Sequence, residues 1–351
     1  MSYWVASSPR VPVELLPAII VTFALSAFLS VAVLHLFPHW GLMDDPHKYG
    51  HDRDPIPLPG GVAPVLALLF ALNAFFPQTP DYTALLLAVA LIGAVSFWDD
   101  RRQVSPLLRL AIHFLAAALI VAGGVSIRYL SNPLGDTIDL LTLSAVLPGV
   151  VTAIWLVGFA NVMNWLDGVP GLSAASATAA GIFLGMLSLT PEVDQPQVAM
   201  LAFVFAAAAG GFLLFNLPPP RMLLGDTGAM VFGFVLASIS VFSGGKMATV
   251  FIVLALPMLD AAYVLLRRIL AGRNPLKGQD RLHLHDRLLL LGFAPREILL
   301  FFLSFSLLLG WLSLQLQTIG KIILIVSVAT LFLLFSWWLE RIVRKKSLTS
   351  T

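Results

Sequence analysis

Cysteine is absent from the 351 residues, which excludes disulfides, thiolate metal centres and cysteine nucleophiles. Charge is scarce: Asp, Glu, Lys and Arg make up 11% of the chain, against about 25% in an ordinary soluble domain. No stretch is long and polar enough for a soluble domain, and no internal repeat is detectable. The chain therefore reads as one domain, 1–351. The short alternating segments of a membrane barrel are missing too. The opening "MSYWVASSPRVPVE" is neither strongly basic nor followed by an early small-residue cleavage pattern, so no cleaved signal peptide is expected.

What fills the space is apolar: 58% of residues are hydrophobic and the mean hydropathy is +0.91. Runs of about 20 apolar residues, the length that crosses a bilayer as a helix, recur along most of the chain. The expected fold is an all-α, polytopic membrane bundle of ten or eleven helices. Eleven runs qualify: about 13–37, 60–77, 82–98, 107–125, 146–163, 171–190, 197–216, 227–243, 248–268, 298–316 and 319–340. Threading them alternately through a membrane puts 17 of the 21 Lys and Arg residues on one side. Only Arg10, Arg128, Lys246 and Lys321 fall on the other. Cytoplasmic loops carry the basic excess, so the N-terminus is expected outside and the C-terminus, "RIVRKK", inside.

The acids follow the same map. On the basic side lie Asp44 and Asp45 with Lys48 and His51, then Asp99 and Asp100 in "FWDDRR", then Asn161, Asn164 and Asp167 in "NVMNWLDGVPG". Arg221 and Asp226 in "PPPRMLLGDTGAM" come next, then His283, His285, Asp286 and Arg287 in "DRLHLHDRL". Asp260 sits in the ninth run, toward the same side. Carboxylates gathered this closely repel one another and are costly beside lipid. Either they are spread around the rim, or a cation and a phosphorylated ligand hold them together. Mg²⁺ suits the second case, because it takes oxygen ligands and is usually bound by one or two carboxylates plus substrate phosphates.

Each motif also has a plainer account. One Asn in an apolar helix glues helices together, but Asn161, Asn164 and Asp167 step by three along one stripe. The turn at Gly168, Pro170 and Gly171 would offer backbone N–H groups to an anion at the next helix start. For Asp99 and Asp100 a polar helix stop is an equal account, since adjacent acids point in different directions. Asp226 or Thr227 is a natural N-cap, which does not exclude metal ligation. The prolines of "PIPLPGG" keep that segment extended, and Gly60 and Gly61 would let backbone approach a phosphate. His283 and His285 share a side only if extended; as a solvated loop pair they need no function. Arg281 and Arg287 flank them as a phosphate-binding cluster would.

Taken together, the motifs resemble those of the polyprenyl-phosphate N-acetylhexosamine-1-phosphate transferases. This family includes undecaprenyl-phosphate N-acetylglucosamine-1-phosphate transferases and phospho-MurNAc-pentapeptide translocases. The likeness spans roughly residues 15–295. "DDPHKYGH…PIPLPGG" is similar to the family's first-loop pattern, and "FWDD" with Arg109 to its aspartate pair followed by a basic residue. "NVMNWLDG" resembles its Asn-x-x-Asn-x-x-Asp-Gly signature, "GDTGA" its Gly-Asp-x-Gly-Ser, and "HLHDRL" its histidine motif. Five motifs in order are specific where any one is weak. The departures are Tyr49 and Gly50 after a single Lys48, Arg109 in place of Lys, Pro170 in place of a second Asp, Ala229 in place of Ser, and Asp286 in place of His. Pro170 and Asp286 bear on recognition of the nucleotide sugar, so the donor stays open.

The resemblance implies transfer of a sugar 1-phosphate from a nucleotide sugar, UDP-N-acetylhexosamine by default, to a polyprenyl phosphate. That is a first membrane step of a cell-envelope glycan pathway. It implies Mg²⁺ or Mn²⁺, a multi-pass protein of the bacterial inner membrane with a cytoplasmic site, a homodimer as the further partner, and no nucleic acid. The implied roles are Asp226 and Asp99 as metal ligands and Asp99, Asp100 and Asp226 as the catalytic set. Lys48, His51, Asn161, Asn164, Asp167, His283, His285 and Arg287 would bind the donor and its phosphates, with Asp44, Asp45 and Arg109 toward the acceptor. Two rivals remain at this stage. A secondary transporter would place polar groups near mid-membrane, usually at a repeat junction. A family member without catalysis would bind lipid and release no nucleotide.

Overall fold

The computed structural model describes residues 12–46, 53–130, 137–242, 246–272 and 283–349, with side chains described as far as residue 342. Lys48, His51 and Arg281 lie outside the described residues. A 3₁₀ turn, Val13–Leu15, leads into α1 (Leu16–His39). Then come α2 (Val62–Phe75), α3 (Pro80–Arg102) and α4 (Pro106–Ala122). A two-stranded antiparallel ribbon, β1 (Tyr129–Leu130) and β2 (Ile138–Asp139), precedes the single turn α5 (Leu140–Leu143). The rest is helical: α6 (Leu147–Leu166), α7 (Leu172–Ser188), α8 (Pro196–Asn216), α9 (Gly225–Phe242), α10 (Met247–Val253), α11 (Ala255–Leu270), α12 (Leu284–Leu291), α13 (Pro295–Gln315) and α14 (Thr318–Thr349).

Six of these helices, α1, α3, α4, α6, α8 and α13, carry proline at their first or second position. There the missing N–H is no loss and the fixed φ favours a helical start. Each of the eleven apolar runs falls on helix. Among the described residues, seven helices are long and apolar enough to cross a membrane, or eight if α10 and α11 form one bent span. The helices α2, α4 and α7 are apolar but shorter.

One run departs from expectation. Residues 248–268 are two helices meeting at 85° around Leu254. Pro257 explains the break: it has no N–H to give the Val253 carbonyl, so the helix cannot continue through that turn.

Burial orders the bundle. In α9, 83% of the apolar window is buried, against 22% in α1 and in α14. The core therefore centres on α9, with α1 and α14 at the periphery. Helices α3, α6 and α7 pack on α9. Small residues set the close crossings: a Cβ added at Gly233 of α9 would collide with the Phe159 carbonyl of α6, and one at Gly181 of α7 with the Ala202 carbonyl of α8. The first and fourth loops are sewn together. Leu223 N–H donates to Pro57 O (3.0 Å), Gly60 N–H to Leu223 O (2.7 Å) and Gly61 N–H to Leu224 O (2.8 Å). That seam fixes the start of α9, where Asp226 stands.

Candidate active site

The site grows from the N-terminus of α9. Gly225 adopts φ +73°, a conformation that favours glycine, and turns the chain into the helix. The carboxylate of Asp100, from the end of α3, lies across this turn. Its Oδ1 accepts from Asp226 N–H (2.9 Å), and its Oδ2 from Thr227 N–H (2.9 Å) and Thr227 Oγ1–H (2.6 Å). A residue 126 positions away thus caps α9, satisfying N–H groups that the helix leaves orphaned.

Asp226 is then aimed at its neighbours. Asn164 Nδ2 donates to Asp226 Oδ1 at 2.7 Å. Arg109 Nη1 lies 2.8 Å from Asp226 Oδ2 and 2.8 Å from Asp99 Oδ2. The other oxygen of Asp99 accepts from Val104 N–H at 2.6 Å. Asp167 is the C-cap of α6. Burial, reinforced by Asp226 and then Asp100, pushes the Asp167 carboxyl well above the usual carboxylate range. Four carboxylates and an asparagine are thus held together, with Arg109 as the cation among them.

The histidine motif forms the adjoining wall. Asp260 Oδ2 lies 2.8 Å from His283 Nδ1, while its Oδ1 accepts from Leu284 N–H (2.8 Å) and from Arg287 (3.3 Å). The rings of His283 and His285 stack with centroids 5.6 Å apart and planes 4° from parallel, and Trp165 covers His283 at 5.8 Å. His283 is the extended residue before α12 and His285 lies in its first turn, so the pair shares a side. His285 presses against Gly168, where an added Cβ would strike the imidazole. This joins the histidine wall to the "NWLDG" turn. Burial holds the His285 imidazole below the ordinary histidine range, against the pull of Asp286 and Asp260.

Four groups given ligand contacts from sequence have partners within the protein. The N–H groups of Gly60 and Gly61 are occupied by Leu223 and Leu224, so they serve the loop seam and not a phosphate. At the N-terminus of α7, Gly171, at φ +81°, donates its N–H to Asn216 Oδ1 at 2.8 Å, so that group is not offered to an anion. Asp44 commits its carboxylate within the first loop, to Arg53 and to Ile56 N–H (2.7 Å), and its side chain is 1% exposed. Asp45 is exposed beside it. Asn161 turns back on its own helix and donates to Val157 O at 2.8 Å.

Residues given no role from sequence also matter. Asp260 organises His283 and Arg287, and its signal was an acid inside an apolar helix. Asn216, 1% exposed, also donates to Met222 O at 2.9 Å, so it links α7 to the loop before α9. His113, 1% exposed, sits one turn beyond Arg109 on α4.

The donor set suits a hard cation. Every carboxylate here offers oxygen, and Asp226 is open to approach. Among the described residues no three acidic or histidine side chains converge to hold an ion by themselves. Mg²⁺ commonly takes one or two carboxylates and completes its shell with water and substrate phosphate; the open Asp226 is the carboxylate that could meet it.

Comparison with known proteins adds the following. A model of glycosyl transferase family 4 matches residues 82–244, which hold Asp99, Asp100, Arg109, Asn164, Asp167 and Asp226. The chain is 31% identical over 290 residues to a decaprenyl-phosphate N-acetylglucosaminephosphotransferase of Mycobacterium leprae (strain TN), covering 72% of each chain. It is 25% identical over 332 residues to a probable undecaprenyl-phosphate N-acetylglucosaminyl 1-phosphate transferase of Bacillus subtilis (strain 168), covering 92% of this chain and 90% of that one. With a phospho-N-acetylmuramoyl-pentapeptide-transferase of Listeria monocytogenes it shares 28% identity over 241 residues, 63% of this chain and 74% of the other.

Proposed function

The chain belongs to the polyprenyl-phosphate N-acetylglucosamine-1-phosphate transferase family, and from that premise we propose how its site works. It transfers a sugar 1-phosphate from a nucleotide sugar to a polyprenyl phosphate. A phosphate oxygen of the lipid forms a bond to the sugar-bearing phosphorus of the donor. The diphosphate P–O bond breaks, and nucleoside monophosphate leaves with the bonding electron pair. The carrying observation is the meeting of Asp99, Asp100, Arg109, Asn164 and Asp226, from α3, α4, α6 and α9, within one hydrogen-bonded cluster, with Asp167 near enough to feel the charges of Asp226 and Asp100.

Phosphoryl transfer asks mainly for positioning and for compensation of charge. Asp226 and Asp167 would hold Mg²⁺ with the donor diphosphate, and the ion would neutralise charge developing there. Asp99, 8% exposed and fully engaged, does not reach substrate in this reading. It holds Arg109, which faces the incoming phosphate. Asp100 positions Asp226 through the α9 cap. Asn164 orients the open carboxylate, and His283 and His285 form the wall that receives the donor. UDP-N-acetylglucosamine is the leading donor, because both decaprenyl and undecaprenyl relatives carry N-acetylglucosamine in their names.

A threading with eleven crossings would put the site on the cytoplasmic side. With α10 and α11 as one span and α2, α4 and α7 each crossing, the ends of α3, α6 and α11 and the starts of α4 and α9 lie on the basic side. Of these, the ends of α3 and α6 and the starts of α4 and α9 carry the side chains that touch in the acid cluster. The pairs Lys246–Gln195 (2.9 Å) and Lys321–Thr249 (2.9 Å) then fall together on the opposite side. The direct test supplies purified protein with Mg²⁺, polyprenyl phosphate and a panel of nucleotide sugars. Nucleoside monophosphate should be released only when the lipid phosphate is present. Release with no member of the panel would contradict the reading.

A further inference from the structure

Outside the five motifs, a second network ties the last helix to the histidine wall. Asp260, Tyr263 and Arg267 lie at i, i+3 and i+7 on α11 and share a face. That face meets α14. Phe332 packs edge-on against Tyr263 at 6.2 Å. Tyr263 Oη donates to Glu340 Oε2 at 3.0 Å, and Arg267 Nη2 lies 2.9 Å from Glu340 Oε1. The guanidinium groups of Arg267 and Arg287 both stand against the Tyr263 ring, 5.7 and 5.4 Å from its centroid.

Arg287 closes the circuit. Its side chain is 4% exposed. One nitrogen donates to Ser336 O on α14 (3.3 Å) and another to Asp260 Oδ1 on α11 (3.3 Å). Asp260 in turn meets His283. A helix of eight residues such as α12 cannot hold its own geometry in isolation. Its orientation, and with it the stacking of His283 on His285, is set by what grips Arg287 and Asp260.

We infer that Glu340 and Tyr263 are positioning residues for the donor-binding histidines. Glu340 fixes the Tyr263 hydroxyl and Arg267. Tyr263 supplies the ring on which the buried Arg287 rests. Arg287 and Asp260 then fix His283. The last helix is thereby part of the site although it supplies no group to substrate. This rests on the reading of His283 and His285 as the donor wall.

The test uses the full chain purified in detergent, with Glu340→Gln, Tyr263→Phe, His283→Ala and the double variant Glu340→Gln/His283→Ala. Initial rates are measured against nucleotide sugar and, separately, against polyprenyl phosphate, beside the thermal midpoint. Loss of one charge-assisted hydrogen bond predicts a donor KM raised about tenfold in Glu340→Gln. The acceptor KM and the midpoint should stay at wild-type values. Tyr263→Phe removes only the hydroxyl and should shift the donor KM the same way. In the double variant the donor KM should equal that of His283→Ala, because residues acting through one another are not additive. A wild-type donor KM in Glu340→Gln and Tyr263→Phe, or a full additive penalty on top of His283→Ala, overturns the inference and leaves the donor wall standing. An unchanged donor KM in His283→Ala overturns the donor wall itself.

Discussion

Asp99 and Asp226 share one Arg109 nitrogen at equal distance, yet their side chains are 8% and 31% exposed. The same residue type therefore has two roles here: Asp99 holds the arginine and Asp226 remains open to a ligand. Asp100 is different again, because its three bonds end at the α9 cap. Replacing Asp100 by Ala should lower stability by about 1–2 kcal/mol, the usual scale of a lost cap, and should also lower turnover. A thermal midpoint equal to wild type would contradict the cap assignment. On the opposite side of the bundle, Lys246 is 2% exposed and donates to Gln195. Burial pulls its pKa down to about 7. The unfolded lysine keeps its proton to about pH 10.4, so between these values the unfolded state binds more protons. Stability should rise with pH across that window, by up to about 1.4 kcal/mol per pH unit, and be flat with respect to this group below pH 7. Midpoints measured from pH 6 to pH 10 should show the rise in wild type and lose it in Lys246→Met.

At the scale of elements, what the sequence made readable was which residues share a helix face. Asn161, Asn164 and Asp167 form a stripe because they step by three. The period does not say what faces the stripe: Asn161 ends on the α6 backbone, Asn164 on Asp226, and Asp167 beside the charges of Asp226 and Asp100. Asp260 was visible as an acid in an apolar helix, but its partner His283 lies 23 positions on, beyond any local pattern. The break at Leu254 had a sign in Pro257, masked by the length of the apolar run around it. The cap on α7 had none, since it depends on Asn216, 45 residues downstream of Gly171. Asn216→Ala leaves a buried N–H and a buried carbonyl unpaired, at about 1–3 kcal/mol each. The thermal midpoint in detergent should fall and turnover with it. A variant as stable as wild type would show that Asn216 does not clamp α7 to the loop before α9.

For the whole molecule, the two groups of contacts fit one threading. The acid cluster joins the ends of α3 and α6 with the starts of α4 and α9, while the Lys246 and Lys321 contacts lie at the other helix ends. The absence of cysteine makes the threading open to measurement. Single cysteines at Asp45 and at Glu192, treated with a membrane-impermeant thiol reagent on intact cells, should differ. The cysteine at 192 should label and the one at 45 should not; the reverse pattern would invert the orientation. Hydropathy alone gave the runs and the basic count gave a side. Neither told that the acids of three helices and the arginine of a fourth would meet, because that depends on the crossings at Gly233 and on the seam between the first and fourth loops. The closest test of that meeting point compares wild type with Asp226→Asn, a substitution that keeps shape and removes charge. With Mg²⁺, polyprenyl phosphate and UDP-N-acetylglucosamine, the variant should release nucleoside monophosphate about 10²–10³-fold more slowly, the scale seen when a stabilising group is removed from a reaction centre, at an unchanged thermal midpoint. Wild-type release by a folded Asp226→Asn protein would contradict the account.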